Sequence, residues 1–163
     1  MELIFIRHAD TESGSGYAED SLRALTPKGH RVHEQVAREL HRRGFSPDII
    51  LSSPRLRADQ TARITAQELP GEVSVIELAE LDGGYALDSL LKRLGEYADC
   101  QRIACVGHEP DVTRWTNELL GEGEKKVSGF KKSGVASISF DEAPVTGQGH
   151  CNYFYSPNDL LSS

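Results

Sequence analysis

The sequence has no long hydrophobic run. Its apolar stretches, "LIFI" at 3–6 or "DIIL" at 48–51, fall far short of the roughly 20 residues of a bilayer-spanning helix. The N-terminus "MELIFI" meets charge at once and has no basic n-region before an apolar h-region, so no secretion signal is read and a cytoplasmic location is expected. Cysteine is scarce and unpatterned: Cys100, Cys105 and Cys151 form no CxxC pair, and an odd count without a secretion signal points to reduced, structural thiols. A cysteine nucleophile would want a phosphate-cradling loop after it, whereas Cys105 runs into "VGHEP". Excess basic charge is missing too. With 18 Lys and Arg against 25 Asp and Glu, the net charge is −7, which argues against a nucleic-acid or anionic-membrane footprint. A local basic pocket stays open, because an anion site needs only a few arginines held together. Internal repeats, linkers and low-complexity tracts are also absent.

What is present is an alternation of short apolar runs with helical patterns. Strands are expected at 2–6, 48–53, 73–78 and 102–108. Between them, Thr26 is placed to cap a helix that starts at Pro27, carries Val32, Val36, Ala37 and Leu40 inward, and stops near Gly44. Further helices are expected from Pro54 to Leu69, over 87–98 and over 110–121. "GVASISF" at 134–140 alternates as an edge strand, paired through a loop with "GQGHCNYFY" at 147–155. The pattern predicts one domain over 1–163: a three-layer α/β/α fold with a mainly parallel central sheet, an antiparallel edge and no large cap.

Three residues then share one placement. His8 follows the first strand, Arg55 the second and His108 the fourth, with Arg7 beside His8. Ligands of open parallel sheets bind beyond the carboxyl ends of the strands, so these side chains converge on one crevice. Two arginines and two histidines there suit a tetrahedral anion. Arginine stays charged and grips phosphoryl oxygens with a planar fork. A neutral imidazole with one bare nitrogen can attack phosphorus. Taken singly, each residue has an ordinary reading as a cap, an ion-pair partner or a surface side chain. Their coincidence at one sheet edge is what sets them apart from isolated polar side chains.

The motifs "RHAD" at 7–10, "LTPKG" at 25–29, "SSPRLRADQTA" at 52–62 and "VGHEPDV" at 106–112, in that order, resemble the histidine phosphatase superfamily, and most of all its short phosphohistidine phosphatase branch. The resemblance runs over nearly the whole chain. It implies that His8 is a transiently phosphorylated nucleophile, that Arg7 and Arg55 hold phosphoryl oxygens, and that His108 stabilises charge during transfer. It implies no metal and no organic cofactor, with a phosphorylated protein as substrate and inorganic phosphate as product. Ala9 stands where the family motif usually has glycine, a small intrusion. Glu80, Asp82 and Glu109 are candidates for a proton donor, and Arg23 for the pocket rim; each also reads as a solvated or helix-terminal charge. The short 11–23 loop leaves little to enclose a small sugar phosphate. This favours phosphohistidine on a protein over the alternatives, a small-molecule phosphomonoesterase on the same scaffold or a noncatalytic phosphate-binding module. His30 and His33 have zinc-compatible spacing without a third ligand, and a solvated helix face is expected for both. Trp115 is expected to pack behind His108, and "EKKVSGFKKSG" at 124–134 to form a basic surface loop.

Overall fold

The opening apolar run becomes a central strand because both of its faces are covered. In the computed structural model, which describes residues 1–13 and 19–162, β1 (Glu2–Arg7) lies between β4 (Arg102–Gly107) and β5 (Val135–Ser139). Leu3 and Phe5 enter one core layer and Ile4 and Ile6 the other, as strand alternation requires. The remaining strands are β2 (Ile49–Ser52), β3 (Val75–Glu77) and β6 (His150–Tyr155), and the sheet order is β3-β2-β4-β1-β5-β6. The first four strands in that order run parallel, whereas β5 pairs antiparallel with β1 and with β6. This is the mainly parallel sheet with an antiparallel edge that the pattern predicted.

The helices divide between the faces. Those after the first two strands, α1 (Pro27–Arg42) and α2 (Leu56–Gln67), cover the Ile4 and Ile6 layer through Val36, Leu40, Ala58 and Ala62. Those flanking β4, α3 (Leu87–Leu94) and α4 (Asp111–Leu119), cover the other layer through Leu90, Leu94, Val112 and Trp115. Trp115 is fully buried, with its ring centroid 6.0 Å from that of Phe5. The Thr26 hydroxyl caps α1 by accepting from the Gly29 amide at 2.9 Å, with Pro27 in the first turn. Such a cap contributes about 1 kcal/mol.

The observed elements are mostly shorter than the sequence pattern suggested. Pro54 and Arg55 precede α2 rather than starting it, and the pattern expected over 87–98 closes as a 3-10 turn at Gly95–Tyr97. One element was not anticipated: α5 (Pro157–Leu161), fixed by a capping box in which Ser156 and Asp159 bond to each other's backbone. Its cues, Ser-Pro followed by Asp, were present in "SPND". Between β3 and α3 the chain makes only a 3-10 turn at Ala79–Leu81, so no helical cap is inserted there. Among the described residues no helix is long and apolar enough to cross a membrane. All three cysteines are free, and burial pushes the Cys105 thiol well above its usual range.

Candidate active site

Parallel register brings the strand ends level. Arg7 pairs with Gly107 and Ser52 with Val106, so His8, Ser53 and His108 leave the sheet side by side. The His8 amide donates to Gly107 O at 3.2 Å and the Ser53 amide to Val106 O at 3.0 Å, extending the ladders one step past the strands. The imidazoles of His8 and His108 are 7% and 8% exposed, with ring centroids 5.2 Å apart and planes at 54°.

The protonation of His8 follows from its partner. Nδ1 lies 2.8 Å from the carbonyl of Ala9, which can only accept, so Nδ1 carries the proton and Nε2 keeps a bare lone pair. Burial pulls the imidazole pKa down to about 4. The Ala9 bond opposes that shift, and the positive charges of Arg57, Arg7 and Arg23 reinforce it. His108 is lowered to about 3, first by burial and then by His8, Arg57 and Arg55. Its Nε2 sits 2.7 Å from Ser53 Oγ, while Nδ1 is buried without a hydrogen-bond partner among the described residues. Both rings are therefore neutral at physiological pH.

The arginines surround this pair. The Arg7 Nη1 donates to Phe130 O at 2.7 Å, which fixes the guanidinium plane. Arg55 donates through Nε to Asp82 Oδ1 and through Nη1 to Asp20 Oδ2, both at 2.5 Å. Arg57 donates to the backbone carbonyl and to Oδ2 of Asp20, each at 3.0 Å. Arg23 completes the cluster, 3.4 Å from Asp20 Oδ1. One carboxylate thus bridges three guanidinium groups, and the Arg57 hydrogen bond is the first cause holding Asp20 below the usual carboxylate range. A site that holds a carboxylate on converging forks has the donor set for a phosphoryl group.

The other sequence candidates separate. Asp82 is at the site as the partner of Arg55. Glu80 is buried against α3, 3.1 Å from Arg93 Nε. Glu109, next to His108 in sequence, turns away from it. Its carboxylate accepts from the Thr113 amide and hydroxyl and from the Phe130 amide, tying the 128–130 segment to α4.

Besides Asp20, Arg57 and His33 escaped the sequence reading. Arg57 is buried while Leu56 beside it is only half-buried, so α2 turns Arg57, Thr61 and Thr65 inward at i, i+4 and i+8. His33 is the other. The solvated face expected for it is overturned: the ring is fully buried, and both nitrogens are engaged by hydroxyls of Ser133 and Thr65. His30, the other half of the zinc-compatible pair, instead meets Glu34 at 2.8 Å. Asp10 also gains a role. It accepts from the Thr26 hydroxyl at 2.9 Å and from Lys132 Nζ at 2.8 Å, binding the segment after His8 to α1 and to the 131–133 turn.

Residues 3–92 match the profile of the histidine phosphatase superfamily (branch 1). An uncharacterized protein of Picosynechococcus is 36% identical over 99% of both chains. The phosphohistidine phosphatase SixA of Escherichia coli is 28% identical, covering 98% of this chain and 96% of its own. A solved structure of the protein histidine phosphatase SixA with tungstate superposes with a TM-score of 0.84 at 28% identity, over 98% of this chain and 99% of that one.

Proposed function

The chain belongs to the histidine phosphatase superfamily and is a phosphatase that works through a histidine, and from that premise we propose that it hydrolyses phosphohistidine on a protein, with His8 as the nucleophile. The observation that carries this reading is the His8 tautomer. Its Nδ1–H is spent on Ala9 O, and Nε2 is left as a neutral nucleophile among Arg7, Arg23 and Arg57.

The reaction has two displacements. In the first, Nε2 of His8 attacks phosphorus, the substrate N–P bond breaks, and the departing imidazole takes a proton from water. In the second, water attacks phosphorus, loses a proton, and phosphate leaves His8 neutral again. Arg7, Arg55 and Arg57 hold the equatorial oxygens as charge shifts across them, and His108 serves the same group from the facing strand end. Asp20 must yield the arginine forks to the incoming phosphoryl group. No acidic residue is required to protonate the leaving group, because imidazole leaves a high-energy N–P bond far more readily than an alkoxide leaves an ester.

The substrate class rests on the missing cap. Only a 3-10 turn stands between β3 and α3, so a side chain presented on a protein surface has access. The similarity to a protein named as a phosphohistidine phosphatase supports the same choice. The test is phosphate release from a phosphohistidine-bearing protein domain against a panel of phosphate esters. We expect the phosphohistidine protein to turn over faster; faster turnover of the esters would move the chain to small-molecule phosphomonoesterases.

A further inference from the structure

The His8–Ala9 peptide bond is held at both of its polar ends. Its carbonyl, His8 O, accepts from the Ser133 amide at 3.3 Å. Its N–H, on Ala9, donates to Thr61 Oγ1 at 3.0 Å. The same unit precedes Ala9 O, the group that fixes the His8 tautomer. Both supports lead away from the site to one residue. The Ser133 hydroxyl lies 3.0 Å from His33 Nδ1, and Thr65 Oγ1 lies 2.8 Å from His33 Nε2. Thr65 in turn donates to the carbonyl of Thr61 at 2.8 Å, one turn earlier on α2.

Either tautomer of a neutral ring satisfies both contacts, since the Ser133 and Thr65 hydroxyls can each donate or accept. A neutral ring agrees with a pKa that burial lowers to about 3. Ser133 stands at φ 61°, a left-handed conformation unusual for a residue with a side chain, so its bond to His33 holds a backbone turn that serine would otherwise leave readily.

Resting on the assignment of His8 as nucleophile, we infer that His33 is a positioning residue for the reaction. It sits 0% exposed in α1, closes a ring of hydrogen bonds through Ser133 and through Thr65 and Thr61, and thereby fixes the peptide that orients the His8 imidazole. It does not touch the phosphoryl group. It acts on the rate of attack by setting the aim of Nε2, where small angular errors are costly. Thr61 also donates to the backbone carbonyl of Arg57 at 2.7 Å, but the guanidinium forks of Arg7, Arg55 and Arg57 bond to Phe130, Asp82 and Asp20 rather than to ring members, so phosphate affinity is expected to change little.

The test uses the full chain with phosphoramidate as phosphoryl donor. It measures the single-turnover rate of protein phosphorylation and, separately, the inhibition constant for inorganic phosphate. His33→Leu is expected to slow phosphorylation about tenfold while phosphate inhibition stays within about twofold. Ser133→Ala and Thr65→Val are each expected to lose about threefold. His33→Leu added to the Ser133→Ala, Thr65→Val pair should cost nothing further, because the ring is already open. A wild-type phosphorylation rate in folded His33→Leu overturns the inference, as does a loss that multiplies fully with those of the two arms. Should circular dichroism show His33→Leu unfolded, the two arm variants carry the test, and wild-type rates in both overturn it. His8→Ala is run alongside. Undiminished activity there would refute the nucleophile assignment itself, whereas a dead His8→Ala with an unaffected His33→Leu refutes only the positioning role.

Discussion

Arg57 grips Asp20 twice, once at its backbone carbonyl and once at Oδ2, each at 3.0 Å. The same carboxylate also meets Arg55 and Arg23. In the proposed reaction this internal anion would occupy donors that the phosphoryl group needs, and the two would compete. Asp20→Ala is expected to tighten inhibition by inorganic phosphate severalfold, a scale set by the modest worth of half-exposed ion pairs, about 1 kcal/mol or less each. Inhibition constants at fixed ionic strength check this; weaker phosphate binding in the variant would mean that Asp20 organises the arginines rather than competing for them.

Three buried histidines give the fold a defined response to acid. Burial, as the first cause in each, lowers His8 to about 4, His33 to about 3 and His108 to about 3. Unfolded histidine titrates near 6.5, so below about that pH the unfolded chain binds protons that the folded chain refuses. Their contribution is complete above about pH 6.5 and falls as the pH drops, toward about 4 for His8 and about 3 for His33 and His108, by at most about 1.4 kcal/mol per pH unit for each group. Denaturant unfolding at about pH 7 and about pH 5 should show this loss, and His33→Leu should have a shallower slope than the parent. Equal slopes would show that His33 is not buried neutral.

Gly29 is a packing requirement of the site rather than a flexible joint. A Cβ built there would lie 2.3 Å from the carbonyl oxygen of Asp10, two residues after His8. The glycine of "LTPKG" thus lets the first turn of α1 press against the segment that carries His8, the proposed nucleophile. Gly29→Ala is expected to destabilise by roughly 1–3 kcal/mol, the range for overpacking a close contact, and to lower activity as Asp10 is pushed aside. Thermal unfolding and turnover together check this. Unchanged values in both would mean that the two segments separate freely.

Much of this architecture was legible because it follows from periodicity. The apolar runs at 3–6, 49–51 and 103–106 had to be buried strands, and His8, Arg55 and His108 stood within four residues of their ends. The residues that were missed are polar ones facing inward. His33 lies on the stripe of Val36, Ala37 and Leu40, at i, i+3, i+4 and i+7, so its position predicted burial while its residue type suggested solvent. Arg57, Thr61 and Thr65 likewise face inward on α2 although none of them is apolar. Their partners lie far away in sequence. Ser133 is 100 residues from His33, and Ala9 is 52 from Thr61, so no local pattern reveals that these polar groups are satisfied. Asp20 could not be placed beforehand either, since its role depends on three arginines meeting in space.

The central claim is that the phosphoryl group passes through His8, and trapping it there is the most direct measurement. The protein is mixed with a phosphohistidine-bearing protein domain labelled on phosphorus, quenched in alkali where phosphohistidine survives, and digested for peptide mapping. Label is expected on the peptide that holds Arg7, His8 and Ala9, appearing before free phosphate and absent in His8→Ala. Release of phosphate at the normal rate with no label at His8, or with His8→Ala as active as the parent, would contradict it.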